Sequence, residues 1–487
     1  MTETKSKVYG LYLPLTFPEG LSAGSGSLYN LLKIARDGTN KPVLRGTALA
    51  GAIRHAYCKR FGKEQTNEIF GFATEKKRVP QASRLKVPDT PLDLNQQDVN
   101  VRTHHMRCRH TGTVQDGCLF SVEACPPNTH ADMVLWLEDD LLNPSTDSEI
   151  KSSLLLQWIV ALFSEQFGGL SLGGNAARGV GRAVLRDKAR WLECDLSDID
   201  KHGEYLDARK KITQRQFDVC REWPVCEPVE NADSETLTVQ FTLTIPRGQD
   251  ILIADGRGLD HTMEPQRVTG SDGKRYWRLP GSSLRGMFRN WVLRLAARDG
   301  RKIADSQENY KLFSAKDEYN GDSLAWIFMK NLKNNKSKLR EIVREEHPVE
   351  DLFGTAFQKG KLHIADAYAE ISKEWNEENP YCETEQVRMH VKVDPITGGA
   401  SNTALFDNTV LTSAGNPQFP VVMQVSNPTE EQARWLAVTL KALHMGILRI
   451  GSSKSAGIVT IQKQESGKLL NASGKNSEIF TTIFEEE

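Results

Sequence analysis

Two stretches of this chain repeat the same pattern of residues at the same spacing. The first is KPVLRGTALAGAIRH (41–55) and the second is YWRLPGSSLRGMFRN (276–290). Each contains a glycine, a small hydroxyl residue, a leucine, a second glycine and an arginine, so that Gly46 corresponds to Gly281. Internal repetition constrains the fold strongly, because each copy has to form the same structural unit.

The repeat extends on both sides of this motif. Alternating apolar residues precede each copy, at 6–20 and 235–248, and this alternation predicts a half-buried strand. Helical apolar spacing follows the motif, and each copy ends with a second apolar helix, a Gly-rich loop and a strand. The order strand, loop, helix, strands, helix, Gly-rich loop, strand predicts an α+β fold with two tandem ferredoxin-like domains.

The length supports this division. The chain has 487 residues, and domains usually contain about 100–200 residues. We predict a first domain at 1–190, a linker at 191–233 and a second domain at 234–487. The offset between copies rises from 235 to 283 within the second copy, which predicts a polar surface insertion at 300–350.

Composition limits the class of protein. No apolar run is long enough to cross a membrane, and the eight cysteines are scattered without a CxxC pair, which predicts a cytoplasmic protein with reduced thiols. The formal net charge is −1, whereas nucleic-acid-binding proteins usually carry a basic excess. Any nucleic-acid surface therefore has to be local, as in the basic clusters at 41–60 and 75–86.

The start of each repeated helix is a candidate phosphate-binding site. The first turn of a helix exposes unpaired amides and the positive end of the helix dipole, and glycine lets a phosphate approach the backbone. An alternative explanation is that the glycines only permit a tight turn and close helix packing. The candidate RNA-binding residues here are Gly46, Thr47, Arg54, Gly281, Ser282, Ser283, Arg285 and Arg289.

The Gly-rich loops near the end of each copy form a second candidate surface. GGNAARGVGR contains Arg178 and Arg182, and GSSKSAG contains Lys454. A backbone nest that grips the phosphates of a polymer suits these residues, while a sharp turn at a sheet edge is the alternative. The absence of a GxxxxGK[ST] pattern disfavours a nucleotide-binding enzyme.

Candidate catalytic acids lie in the loops that follow the first strand of each copy. The second copy has Asp255 and Asp260 there, whereas the first copy has Asp37 in an Arg-Asp-Gly turn signal. A carboxylate on a loop that faces a phosphodiester would hold Mg²⁺ or another divalent cation, which favours hydrolysis. Solvated loop acids without a catalytic role are the alternative.

A zinc site is a weaker alternative for the stretch 103–118. It contains His104, His105, Cys108, His110 and Cys118. Their spacing fits no standard pairing of zinc ligands, and the corresponding stretch of the second copy has no cysteine. The pattern favours a hairpin with Thr-Gly at its tip.

Four features together resemble the RAMP superfamily. They are PGSSLRG (280–286), the Phe-Gly pairs of IFGF (69–72) and LFGT (352–355), the segment TGTVQDGCLFSVE (111–123) and the terminal Gly-rich loops. More narrowly, they resemble the backbone subunits of type III CRISPR effector complexes. Because both halves match, the chain looks like two such subunits fused, as in type III-D-like systems.

The resemblance implies two RRM-like cores with hairpin thumbs at about 90–118 and 381–407. Such subunits hold a CRISPR guide RNA by its backbone, kink the guide–target duplex and pack against other subunits of the complex, without a membrane partner. An Asp in the first loop cleaves target RNA with a divalent metal in antiviral defence. Asp260 fits this role as catalyst and metal ligand, whereas the first copy has Asn30 in that region, so only the second domain is expected to cut.

Two alternatives within the same class stay open at this point. One is a non-catalytic RNA-binding scaffold in the same complex. The other is an endoribonuclease that processes guide RNA, although the tandem motifs argue against it.

Overall fold

The chain divides into two compact units, each with its own hydrophobic core. The first contains residues 1–176, 180–233 and 269–273, and the second contains 177–179, 234–268 and 274–487. The computed structural model describes residues 7–28, 31–73, 80–95, 98–107, 114–138, 146–165, 168–173, 179–196, 199–223, 235–254, 263–301, 345–354, 359–371, 384–394, 396–451 and 457–485. The predicted insertion at 300–350 lies mostly outside the described residues.

The described part of the first unit is a mixed α+β structure, in which long strands alternate with helices. Its strands are β1 (Lys7–Phe17), β2 (Gly24–Leu28), β3 (Leu31–Ile34), β4 (Val43–Leu44), β5 (Leu85–Lys86), β6 (Thr90–Pro91), β7 (Asn100–Arg107), β8 (Val114–Ala124), β9 (Thr129–Glu138), β10 (Leu170–Ser171), β11 (Arg182–Leu185), β12 (Arg190–Asp195) and β13 (Arg221–Glu222). Its helices are α1 (Gly46–Phe70), α2 (Thr146–Leu162) and α3 (Ile199–Thr213).

Strand β1 is the centre of the main sheet of the first unit. It pairs antiparallel with β9 along one edge and with β11 and β12 along the other. The alternating apolar residues of β1, from Tyr9 to Phe17, face a core that is completed by Leu49 and Ile53 of α1 and by Trp158 of α2. The predicted half-buried strand and both predicted helices are therefore present.

The opposite face of this sheet is also covered. Val8 of β1 and Trp136 of β9 form a second apolar cluster with Ile212 of α3. The charge of the segment 191–233 predicts a linker, but its first residues complete β12 and its helix packs on the sheet. Its described part is therefore a structural layer of the first unit.

The described part of the second unit repeats this architecture. Its strands are β14 (Thr236–Thr244), β15 (Asp250–Ile251), β16 (Arg267–Thr269), β17 (Arg275–Leu279), β18 (Leu362–Ile364), β19 (Ala367–Glu370), β20 (Glu385–Val393), β21 (Ala400–Thr412), β22 (Phe419–Ser426), β23 (Thr460–Ile461) and β24 (Leu470–Ser473). Its helices are α4 (Gly281–Arg298), α5 (Pro348–Phe353), α6 (Glu430–His444) and α7 (Glu478–Glu485).

Each strand of the second main sheet has a counterpart in the first. Strand β14 pairs antiparallel with β22 on one side and with β23 and β24 on the other, and β18 pairs with β22 as β5 pairs with β9. Phe288 of α4, Trp435 of α6 and Phe480 of α7 pack in its core. The predicted repeat is thus a repeat of structure as well as of sequence.

Each unit also contains a two-stranded antiparallel hairpin, β7–β8 in the first and β20–β21 in the second. These hairpins overlap the stretches 90–118 and 381–407 predicted for the thumbs, and they extend a few residues beyond them. None of the helices in the described ranges combines the length and apolar character needed to cross a bilayer.

Candidate nucleic-acid interface

The start of α1 is capped by a carboxylate of the chain itself. The amide of Gly46 donates to Asp89 Oδ1 at 2.7 Å, and Arg45 Nη1 donates to Asp89 Oδ2 at 2.7 Å. The Gly46 amide and the Arg45 guanidinium hold the pKa of Asp89 below its usual value, so this carboxylate is ionised. An internal anion therefore satisfies the amide and complements the dipole at this helix start.

The start of α4 repeats this arrangement. The amide of Gly281 donates to Asp366 Oδ1 at 2.8 Å, and Arg278 Nε donates to Asp366 Oδ2 at 2.8 Å. The Asp366 side chain is fully buried, whereas Asp89 is 46% exposed. Both helix starts therefore use the same carboxylate cap.

The first glycine of each motif is explained by close packing. A Cβ atom on Gly46 would lie 1.9 Å from the carbonyl oxygen of Val87, and one on Gly281 would lie 2.1 Å from that of Ile364. Both glycines are buried. Their amides bind carboxylates, and no side chain fits between helix and strand, so packing explains both glycines and the predicted phosphate contacts stay untested.

The hydroxyl residues beside these glycines differ in exposure. Thr47 and Ser283 are exposed in the first turns, and Ser282 is half-buried. The second glycines, Gly51 and Gly286, are exposed, and a Cβ on either would meet no atom within 4 Å. This leaves an open strip of small residues on the first turns of both helices.

The arginines of the motif make contacts within their units. Arg54 Nη2 donates to Asn67 Oδ1 at 3.1 Å, and Arg285 donates to the carbonyl of Phe353. Burial lowers the pKa of Arg289, although the nearby Glu350 opposes this shift. The Arg54 contact therefore lies within α1, and the Arg285 contact connects α4 to the end of α5, while the predicted RNA contacts of all three arginines are untested.

Arg182 forms a buried ion pair with Glu19. Its Nε and Nη2 donate to Glu19 Oε1 at 3.0 and 2.7 Å, and both side chains are only 5% exposed. The arginine therefore joins β11 to the turn after β1 as a buried ion pair, and its predicted RNA contact stays untested.

The other two cations of the Gly-rich loops, Arg178 and Lys454, lie outside the described residues. The residues that flank the loops are described. Gly173 and Gly451 have φ angles of +85° and +104°, and a Cβ on them would lie 2.5 and 2.3 Å from a backbone carbonyl oxygen. Only glycine fits at both positions, so equivalent turns present the two loops.

Two of the three candidate catalytic acids, Asp255 and Asp260, lie outside the described residues. The third, Asp37, is half-buried, and its Oδ1 accepts from the amide and hydroxyl of Thr39, both at 2.8 Å, and from the amide of Lys41 at 3.0 Å. The Thr39 hydroxyl and the Lys41 amide hold the pKa of Asp37 below its usual value. Asp37 therefore closes a turn, and its candidate catalytic role stays a prediction.

The hairpin of the second unit carries an apolar surface that was not predicted from the sequence. From Gln386 to Val391 both faces of β20 are exposed, so this part of the hairpin extends free of its unit. The exposed fractions of its alternate residues are 42% for Val387, 76% for Met389, 49% for Val391 and 54% for Val393. Ile396, in the turn between β20 and β21, is 92% exposed.

We call the row formed by Val387, Met389, Val391 and Val393 the apolar stripe. The alternation of apolar and polar residues within VRMHVKV (387–393) is the sequence pattern from which it could have been predicted. The other face of β20 is polar and basic. Arg388 is 49% exposed and lies 3.3 Å from Asp250 through Nε, and His390 is exposed. An exposed apolar row of this kind indicates a contact surface for a partner.

The hairpin of the first unit differs in composition. Val101 is 40% exposed, and the ring of His104 stacks on Phe120 at 5.5 Å between centroids. Cys108 and His110 of the alternative zinc site lie outside the described residues. Within the described ranges no three histidine, cysteine, aspartate or glutamate residues are grouped to hold a metal ion.

Comparison with protein families decides the class of this chain. A family profile described as "RAMPs: RAMP superfamily" matches residues 15–184 and 263–458, one region in each unit. The chain belongs to the RAMP superfamily. Two RAMP regions in tandem confirm the predicted family and the predicted α+β, ferredoxin-like fold class.

Among solved structures, one similar chain comes from "Cryo-EM structure of the Type III-B Cmr-beta bound to cognate target RNA". It is 14% identical, with a TM-score of 0.28, and the match covers 38% of this RAMP protein and 61% of that chain. A similarity of this size carries no argument about function. Comparison with curated proteins finds no match.

Proposed function

We propose that this RAMP protein is a guide-RNA-binding backbone subunit of a type III CRISPR effector complex. It would hold the guide RNA with both units and position the guide–target duplex, with other subunits of the complex as partners, in the cytoplasm. The observation that carries the proposal is strand β20 of the second hairpin, which is exposed from Gln386 to Val391 and has an apolar row on one side and Arg388 and His390 on the other.

The chemistry of the hairpin suits a nucleic-acid duplex. Residues of one strand face rise about 6.6–6.8 Å apart, so the apolar stripe has a length of about 20 Å. Apolar side chains inserted between base steps unstack them and kink a duplex, while basic groups such as Arg388 position the phosphate backbone. The family resemblance implies this use of a hairpin thumb.

The near-neutral net charge is compatible with this function. RNA helices are recognised mainly by shape and by contacts to phosphates and 2′-hydroxyls, which need local donors rather than a basic excess. The exposed Thr47 and Ser283 offer hydroxyl donors on the open strips at the starts of α1 and α4. Arg178 and Lys454 would add cations from the Gly-rich loops.

We further propose that the second unit cleaves target RNA, with Asp260 as the catalytic residue. Carboxylate oxygens are the donors that Mg²⁺ prefers, so Asp260 and Asp255 suit a divalent cation chemically. The described residues supply no complete metal site, and the RNA phosphate and water would provide the remaining ligands. A bound cation would generate the nucleophile and neutralise the charge that develops on the phosphate.

Replacement of Asp260 by alanine tests the catalytic part. In the assembled complex we expect Asp260→Ala to abolish cleavage of target RNA and to leave guide RNA bound. Asp37→Ala is the matched control, because Asp37 follows the first strand of the first unit and its carboxylate closes a turn. If Asp260→Ala leaves every cleavage product in place, the catalytic role proposed for Asp260 fails.

Retention of guide RNA tests the binding part. We expect the purified protein or complex to carry RNA of defined length, with its 260 nm absorbance removed by ribonuclease. A protein that retains radiolabelled ATP but no guide RNA on a filter would contradict the proposal. Release of a mature guide from a longer precursor would favour the guide-processing alternative.

A further inference from the structure

An exposed apolar patch lies on the first unit, where α1 packs against α2. Phe61 of α1 is 38% exposed, and Leu154 of α2 is 55% exposed. The ring of Phe61 lies edge-on to that of Trp158, with 5.7 Å between centroids. Leu154 precedes Trp158 by four residues, so both lie on the same face of α2. We call Phe61 and Leu154 the α1–α2 patch.

The fold holds the aromatic member of this patch in place. Phe61 packs on Tyr57 at 4.4 Å between ring centroids, and Tyr57 lies edge-on to Trp158 at 5.1 Å. Directly after Phe61, the helical path of α1 is interrupted at Gly62, whose φ angle is +84°. Glycine adopts this conformation without strain. The exposed ring is therefore part of an ordered aromatic cluster at a bend of the helix.

The second unit has polar contacts at the corresponding place. The residue that corresponds to Leu154 is Glu431, four positions before Trp435 of α6. Its Oε1 and Oε2 accept from Arg301 Nε and Nη2 at 2.8 and 2.9 Å. Trp435 Nε1 donates to Asp299 Oδ2, at the end of α4, at 2.8 Å. The repeated fold therefore does not require an apolar residue here, and a structural need does not explain the exposed Leu154.

Cations flank the exposed ring of Phe61. Lys59, Arg60 and Lys63 are all exposed and lie within two positions of Phe61 in the sequence. Glu64 is the one acid between residues 59 and 64. This end of α1 therefore carries a local positive charge, which complements a partner surface of negative charge.

We propose that the α1–α2 patch docks a protein partner through a segment in which acidic side chains surround an apolar anchor. The inference rests on the proposed function in one respect, that the partner is another subunit of the same complex. Protein interfaces have an apolar core rich in aromatic residues and a polar rim. Phe61 and Leu154 supply such a core, and the three cations supply the rim.

An RNA strand suits this surface less well. Its phosphates would be attracted by the cations, and its bases could stack on an aromatic ring. The side chain of Leu154 offers a nucleotide neither a hydrogen-bond donor nor an aromatic surface, although it is the more exposed member of the patch. The combination of an exposed leucine and an exposed phenylalanine therefore favours a protein.

Site-specific crosslinking in the assembled complex tests the proposal. With the photoreactive residue benzoylphenylalanine in place of Leu154, we expect a crosslink to another protein chain, within a peptide rich in Asp and Glu, identified by mass spectrometry. Leu206 of α3 is 62% exposed in the same unit and is the matched control position, from which that peptide should not be reached. A crosslink from position 154 to RNA or to a peptide without acidic residues overturns the proposal, as does the absence of any crosslink.

A substitution supplies a second readout. Leu154→Glu introduces the residue that the second unit has at this position, and it should reduce the amount of the crosslinked subunit retained in the purified complex by about tenfold. Leu206→Glu is the control and should leave the subunit composition unchanged, as measured by native mass spectrometry. Both positions are exposed, so neither variant should change the melting temperature.

Unchanged subunit composition in Leu154→Glu overturns the inference. A complex that carries no guide RNA would contradict the proposed function, whereas the crosslink and the subunit composition would still decide whether the α1–α2 patch docks a protein.

Discussion

At the scale of single residues, the repeated motif separates into two kinds of glycine. Gly46 and Gly281 have no room for a side chain, since a Cβ would lie 1.9 and 2.1 Å from a carbonyl oxygen. Gly51 and Gly286 are exposed in helix interiors with nothing within 4 Å. A glycine in a helix interior costs about 0.5–1 kcal/mol relative to alanine, so packing within the units explains only the first pair.

We expect Gly46→Ala and Gly281→Ala to destabilise their units severely, because the helix would have to move away from the strand. Gly51→Ala and Gly286→Ala are the matched controls and should be neutral or stabilising by about 0.5–1 kcal/mol. Thermal unfolding of the four variants compares the two pairs. If the open strips bind RNA, Gly51→Ala and Gly286→Ala should also weaken guide retention without loss of folding, and retention equal to wild type would argue against those strips.

At the scale of elements, the strands and helices follow from local pattern, whereas their partners do not. The alternation in β14 and the helical spacing in α4 predict these elements directly. The cap of α4 comes from Asp366, 85 positions along the chain, and the cap of α1 comes from Asp89, 43 positions away. Contacts of that separation depend on the folded sheet, so a local pattern predicts a phosphate site where the structure has a carboxylate.

The segment 191–233 is a second case in which the local sequence pattern does not predict the contacts of an element. Seven of the 15 residues of its helix α3 are charged, and only a few of its side chains, such as Ile212 and Tyr205, pack on the sheet. Trp136 and Arg209 add an aromatic–cation contact at 5.4 Å. Because few apolar residues of α3 face the sheet, the sequence of α3 shows only a weak helical periodicity of apolar residues. From its sequence alone the segment therefore resembles a linker, and its packing on the second face of the β1 sheet becomes visible only in the structure.

For the β20–β21 hairpin we predict that the apolar stripe contributes to the binding of target RNA. We expect Met389→Ser combined with Val391→Ser to weaken capture of target RNA by the guide-loaded complex, because the apolar stripe loses two of its exposed members. Folding should be unaffected, since exposed substitutions usually change stability by less than about 0.5 kcal/mol. Gln386→Ser, on the opposite face of the same strand, is the control. Equal target binding by the wild type and both variants would remove the stripe from the RNA interface.

At the scale of the whole molecule, the charge decides how RNA is held. With a net charge of −1, the chain has no general attraction for a polyanion, and affinity has to come from local cations. Each phosphate neutralised on a single strand contributes about −0.7 to the slope of log affinity against log salt concentration. The slope therefore measures the number of RNA phosphates that the protein neutralises.

The salt dependence of binding tests whether the two Gly-rich loops contact phosphates of the guide RNA. If Arg178 and Lys454 each contact one phosphate of the guide, Arg178→Ala and Lys454→Ala should each reduce the slope by about 0.7, and the double variant by about 1.4. Arg247→Ala removes an exposed cation from the turn after β14 and serves as the control, with the slope unchanged. Filter binding of guide RNA across a salt series measures all four slopes. A smaller slope in only one loop variant would show that the repeated units have diverged in RNA binding although their folds correspond, whereas no change in either would place the guide elsewhere on the protein.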